Sequence, residues 1–118
     1  MRDKRFDDAL VALAAIFETQ TSSVDAFYYS AVCLRYLNRF DEALEQLQAL
    51  RKIAPSYGRG LQEEGHIHRA QGNLRQALHL YTRATHANPS LQGSWRGQIE
   101  ILLKQNREPE ALRLKPHL

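Results

Sequence analysis

The stretch Tyr57 to Asn73, "YGRGLQEEGHIHRAQGN", gathers residue types from which reaction centres are built. Gly58 and Gly60 could approach a phosphate, Glu63 and Glu64 could share a proton, and His66 with His68 could hold a metal. Each of these chemistries needs a spacing that the stretch does not supply. A dinucleotide-binding loop needs a further glycine three residues after the second, but Glu63 stands there, and no strand precedes it. On a helix His66 and His68 point about 200° apart, so their rings cannot meet at one ion. His79 and His86 lie about 10 Å apart along a helix, which is again too far. Glu63 and Glu64 diverge by about 100°, and no nucleophile or base accompanies them. The expectation is a chain without catalytic residues, metal site or cofactor, and therefore not itself an enzyme.

A repeat explains the same residues as scaffold. Ala9, Ala43, Ala77 and Ala111 follow one another at intervals of 34, as do Pro55 and Pro89. Arg5-Phe6-Asp7-Asp8-Ala9-Leu10 returns as Arg39-Phe40-Asp41-Glu42-Ala43-Leu44 and again as Asn73-Leu74-Arg75-Gln76-Ala77-Leu78, with a weaker copy at 107–112. Apolar residues within each period fall at helical spacing, as in Phe27, Leu34 and Leu37 and then Ala43, Leu44, Leu47 and Leu50. Breaks occur at Asn38-Arg39, Pro55-Ser56, Gly72-Asn73, Asn88-Pro89 and Asn106-Arg107. Proline stops a helix, and Gly72 and Asn106 suit the left-handed turn that closes one. The spacing predicts helices over 3–19, 24–37, 41–53, 58–71, 75–87, 92–105 and 109–115.

Two helices per 34 residues resemble the tetratricopeptide repeat. In 58–91 the slots are Leu61, Gly65 at the helix contact, Gly72 at the turn, Ala77, Tyr81, Ala84 and Pro89. In 24–57 they are Phe27, Ala31, Leu34, Ala43, Leu47, Leu50 and Pro55. Trp95 and Ala111 carry the pattern onward, and Ile99 in place of a small residue argues against tight packing at that point. The resemblance implies an all-α fold, a right-handed superhelix of antiparallel helix pairs. Residues 1–118 are expected to form one domain, with 3–23 the second helix of a truncated repeat, 24–57 and 58–91 complete repeats, and 92–118 a partial one. Because the chain is out of phase with its repeats, it is expected to be a fragment of a longer protein. Its uncapped ends are expected to associate as a homodimer through 3–19 or 92–118.

In this family the first helices line a groove that holds peptides. The corresponding residues are Tyr28, Arg35 and Tyr36, then Arg59, Gln62, His66 and Arg69, then Arg96. Guanidinium groups pair with carboxylates through two parallel hydrogen bonds, so an acidic partner peptide is the expected ligand. The competing reading has these arginines solvated or paired with neighbours, with Glu100 set between Arg96 and Lys104. Tyr28 and Val32 stand where a chaperone-type carboxylate clamp would begin, so that clamp is not expected. The run from Pro55 to Trp95 also resembles the repeat region of bacterial sulfotransferases, which implies the alternative of a non-catalytic appendage to a larger enzyme.

Charge sharpens the expectation. Residues 1–57 hold seven Lys/Arg against eight Asp/Glu, whereas 58–118 hold nine against five and all five histidines. That balance suits an anionic protein partner and falls short of a nucleic-acid footprint. No apolar run approaches the roughly 20 residues of a membrane span. Cys33 is the single cysteine, which makes a cytoplasmic setting the default.

Overall fold

The structure, a computed structural model, describes residues 4–118. Its described residues form seven α-helices and a short 3-10 turn, with no strand. The helices are α1 (Lys4–Thr19), α2 (Val24–Tyr36), α3 (Phe40–Ile53), α4 (Gly58–Ala70), α5 (Leu74–Ala87), α6 (Gln92–Lys104) and α7 (Glu108–Leu114). The turn is Lys115–His117. Helix boundaries fall within a residue of those read from the sequence. Asp3, where the first helix was expected to begin, lies outside the described residues.

Two kinds of helix end alternate, and each follows from a residue type. After α2, α4 and α6 the chain turns through Asn38, Gly72 and Asn106 at φ of 60°, 82° and 59°. The next backbone N–H then reaches back five residues: Arg39 to Leu34, Asn73 to His68, and Arg107 to Leu102, each at 2.8 Å. These bonds satisfy carbonyls that the helix end would leave open, and only glycine or asparagine adopts the required φ at low cost. After α3 and α5 the stop is a proline. Ala54 and Asn88, the residues before Pro55 and Pro89, are extended at φ of −138° and −147°, as proline's ring demands of its predecessor. Ser23 begins α2 by accepting the Ala26 N–H at 3.1 Å.

The chain divides into two compact units, one running to Pro55 and the other from Ser56 to Leu118. In the first, α2 packs on α1 and on α3. Ala31, Leu34, Ala43, Leu47 and Leu50 are buried. Helix α1 has no buried residue of its own; Phe17 meets Phe27 at 4.7 Å between ring centroids, while Val11 is 73% exposed.

In the second unit α4 packs on α5, α5 on α6 and α6 on α7. Leu61, Leu80 and Ala84 form one cluster with Leu91 against it, and Ala77, Tyr81 and Ile101 form another. Tyr81, fully buried, fits because glycines face its ring. A Cβ on Gly65 would stand 2.7 Å from the ring, and one on Gly97 only 2.5 Å. Ile99, expected to disturb tight packing, is instead buried with Leu102 and Ala111. Gly97, two residues earlier on the same helix, makes a separate close approach, to the Tyr81 ring of α5. No described helix is long and apolar enough to cross a membrane.

Candidate peptide-binding surface

On α4 the residues Arg59, Gln62, His66 and Arg69 recur at helical spacing, so they form one stripe. Three of them are fixed by contacts within the second unit. Gln62 Oε1 accepts the Ser94 hydroxyl at 2.8 Å. His66 Nδ1 lies 2.6 Å from the Tyr81 hydroxyl, with the two rings edge-on at 5.4 Å. Arg69 Nη1 donates to Glu100 Oε2 at 3.0 Å, and its guanidinium carbon stands 5.6 Å from the centre of the Tyr81 ring. Arg59 and Arg96 are exposed.

Glu100 therefore departs from the expected arrangement. Arg96 and Lys104 lie one turn before and after it on α6, yet its ion pair is made with Arg69 of α4. The reason is that α4 and α6 contact one another directly, and the Gln62–Ser94 bond fixes their register. Both partners remain partly open, with side chains 35% and 52% exposed.

The first unit offers a smaller surface. Arg35 lies with its guanidinium carbon 4.6 Å from the Tyr36 ring centre. Tyr36 is 57% exposed and stacks parallel on Phe6 at 4.9 Å. Tyr28, grouped with them in the sequence reading, is buried. It meets Tyr29 edge-on at 5.1 Å, and Tyr29 is the neighbour that solvent reaches.

Two features escaped the sequence reading. Glu63 and Glu64 are both buried, on a helix whose buried residues also include Leu61, Gly65 and Ile67. Gln98 is also buried, donating from Nε2 to Thr85 Oγ1 at 3.0 Å and to the Ser94 carbonyl at 3.2 Å. A lone glutamine in an apolar stripe was the available signal, since a buried amide must be hydrogen-bonded. Among the described residues no three His, Cys, Asp or Glu side chains gather as a metal site requires.

Comparison with known proteins agrees with this architecture. Residues 1–58 and 63–114 each match the family described as Tetratricopeptide repeat. Over 86 residues the chain is 27% identical to a probable UDP-N-acetylglucosamine–peptide N-acetylglucosaminyltransferase, SPINDLY, of Solanum lycopersicum. That match takes in 73% of this chain and 9% of the relative. A crystal structure of MamA superposes with a TM-score of 0.84 at 16% identity, covering 95% of this chain and 66% of that one. A MamA structure from Desulfovibrio magneticus RS-1 gives 0.80 at 14% identity, covering 96% and 64%. At such identities the likeness is one of fold.

Proposed function

The chain belongs to the tetratricopeptide repeat family, and we propose that it is a protein-interaction scaffold that binds an acidic segment of a partner. In the second unit the binding surface is the seam of α4 and α6: Arg59, Gln62, His66, Arg69 and Arg96. In the first unit Arg35 and Tyr36 form a surface of the same chemistry. The observation that carries this reading is the Arg69–Glu100 pair at 3.0 Å. Arg69 is oriented by Tyr81 and already holds a carboxylate, and that carboxylate is exposed enough to be displaced. Exposed ion pairs contribute only about 0.2–1 kcal/mol each, which implies micromolar, salt-sensitive binding. An array of peptides of graded charge tests this. Binders should be enriched in Asp and Glu, and Arg59→Glu with Arg69→Glu should abolish their binding while melting changes little. Binders without acidic bias would refute the proposal.

A second reading has one observation in its favour. The chain spans 9% of the length of the glycosyltransferase it matches, so the same scaffold can serve as a non-catalytic appendage of a larger enzyme. The sulfotransferase resemblance is a case of that reading. Binding of an acidic peptide by this chain alone separates the scaffold from the appendage.

A further inference from the structure

Two clefts of the molecule are built from the same repeat positions, 68 residues apart. The first, about 710 Å³, lies among α1, α2 and α3; the second, about 310 Å³, lies among α5, α6 and α7. Leu34 and the Arg39–Glu42 ion pair of the first recur as Leu102 and the Arg107–Glu110 pair of the second, with both pairs closed at 2.6 Å. The first is roomier because Ala14 and Ser30 stand where Thr82 and Gln98 fill the second.

Their charges are opposed. The first cleft carries Asp7, Glu42 and Glu45 against Arg39. In the second, the position of Glu45 is taken by Arg113, leaving Arg107 and Arg113 against Glu110. Asp7 likewise has Arg75 as its counterpart 68 residues on. One scaffold thus accepts either sign at these positions, so the acid of the first cleft is not demanded by the fold. Leu10, Val11 and Phe17 line the same cleft beside these acids, and Val11 is 73% exposed.

The chain itself carries a segment of matching chemistry. Residues 111–118, "ALRLKPHL", combine Arg113 and Lys115 with Leu112 and Leu118, which are 50% and 54% exposed. The segment is already ordered. His117 stacks on Trp95 at 3.8 Å between centroids, and its carbonyl accepts from Gln92 Nε2 at 2.9 Å. An ordered segment loses less entropy on binding than a free one. Its length suits the apolar lining of α1, which runs from Leu10 to Phe17, about 10 Å of helix.

We propose that the cleft among α1, α2 and α3 is a self-association site that takes residues 111–118 of a second copy. Leu112 and Leu118 cover the apolar lining, and Arg113 and Lys115 face Asp7, Glu42 and Glu45. Donor and acceptor are different surfaces, so the contact is heterologous and can propagate beyond a dimer into rings or open chains.

Charge reversal with mixing tests the proposal on the full chain. Asp7→Arg with Glu45→Arg places in the cleft the residues that the chain carries at the equivalent later positions. Arg113→Glu with Lys115→Glu reverses the segment. Sedimentation across the micromolar-to-millimolar range should show concentration-dependent association of the unaltered protein. Each reversed protein alone should associate about tenfold more weakly, the scale of two exposed ion pairs turned repulsive, and an equal mixture of the two should recover it. Should either reversal unfold, Asp7→Asn with Glu45→Gln takes its place, with partial weakening expected. A strict monomer at millimolar concentration, reversals without effect, or a mixture that fails to recover would each overturn the proposal. So would a monomer whose cleft instead binds a synthetic Leu/Lys helical peptide, seen as NMR shifts at Leu10, Phe17 and Phe27, because the occupant would then be a foreign basic segment.

Discussion

The Tyr81 hydroxyl lies 2.6 Å from Nδ1 of His66, so the most enclosed aromatic ring of the second unit ends at a residue of the proposed binding surface. The ring is clamped where Gly65 and Gly97 leave room for it, and its position in turn sets those of His66 and Arg69. Tyr81→Phe keeps the ring and removes one hydrogen bond, which should cost about 1 kcal/mol. Tyr81→Ala empties the clamp and should cost about 3–5 kcal/mol. Denaturant titration of the two variants separates packing from hydrogen bonding; equal losses would show that the ring is not held as described.

The glycines that admit Tyr81 should differ from a glycine that merely touches a side-chain end. A Cβ at Gly97 would meet the Tyr81 ring at 2.5 Å, whereas one at Gly93 would meet Gln62 Oε1, a side-chain end held by the Ser94 hydroxyl, at 3.0 Å. Gly97→Ala should therefore destabilise by about 1–3 kcal/mol through overpacking, although alanine is the better helix former by about 1 kcal/mol. Gly93→Ala should cost less than Gly97→Ala, because the Gln62 side-chain end need shift only slightly to keep its bond to Ser94. Melting temperatures of the two variants check the contrast, and a Gly93 variant that falls as far as the Gly97 variant would defeat it.

Ala77 lies at the centre of the repeat pattern and is fully buried beside Tyr81 and Ile101. Ala77→Glu would bury a charge and overpack the helix contact, at a cost of several kcal/mol. Circular dichroism melting is the measurement, and an unchanged midpoint would mean that the repeat register is wrong.

Much of this was legible in the sequence because helix ends are local events. Asn38, Gly72 and Asn106 turn the chain through their own backbone preferences, and Pro55 and Pro89 act on their immediate predecessors. The 34-residue period then fixes which positions are repeated, and Ala77 could be placed from that alone, while Gly65 followed from the resemblance to the tetratricopeptide repeat. The pairings were less legible because they depend on contacts between helices distant in sequence. Arg69 and Glu100 are 31 residues apart, and nothing in the spacing along α6 favours that partner over Arg96 or Lys104. Tyr28 and Tyr29 differ by 100° of helix rotation, so a small error of face decides which one is buried. Ile99 was misjudged for a similar reason, since the space it needs is supplied by Leu102 and Ala111 on and beyond its own helix.

Arg107 and Glu110 supply a pH-dependent mark on the last helix. The hydrogen bond from Arg107 holds the Glu110 carboxyl below the ordinary glutamate range, and the charges of Arg107 and Arg113 add to the effect. A lowered folded-state value means that the pair stabilises the fold above the ordinary range and loses its contribution as pH falls through the lowered value. Both groups face solvent, so the effect on stability should be small and sensitive to salt. Carboxyl-carbon NMR should show Glu110 titrating below the ordinary glutamate range, and Arg107→Ala should return it to that range. A midpoint unmoved by that substitution would remove the ion pair from the account.

Glu100 should act as a built-in competitor for Arg69. Its carboxylate occupies Nη1 at 3.0 Å in the unliganded chain, so an acidic partner must displace it before it can pair with the same guanidinium. Removing the carboxylate leaves Arg69 in place, because the Tyr81 ring still lies beneath it at 5.6 Å. Glu100→Ala should therefore tighten binding of an acidic peptide severalfold, as expected when an exposed pair of about 0.2–1 kcal/mol no longer has to be broken. Stability should fall by no more than that amount. The dependence of affinity on salt should steepen, since one more cation of the surface is then neutralised by the ligand and not from within. Titration calorimetry at two salt concentrations measures both effects, with Arg96→Ala as a control that weakens binding and leaves the Arg69–Glu100 pair intact. If Glu100→Ala binds the peptide no better than the unaltered chain, Arg69 is not a contact for the partner and the binding surface must lie elsewhere on the first helices.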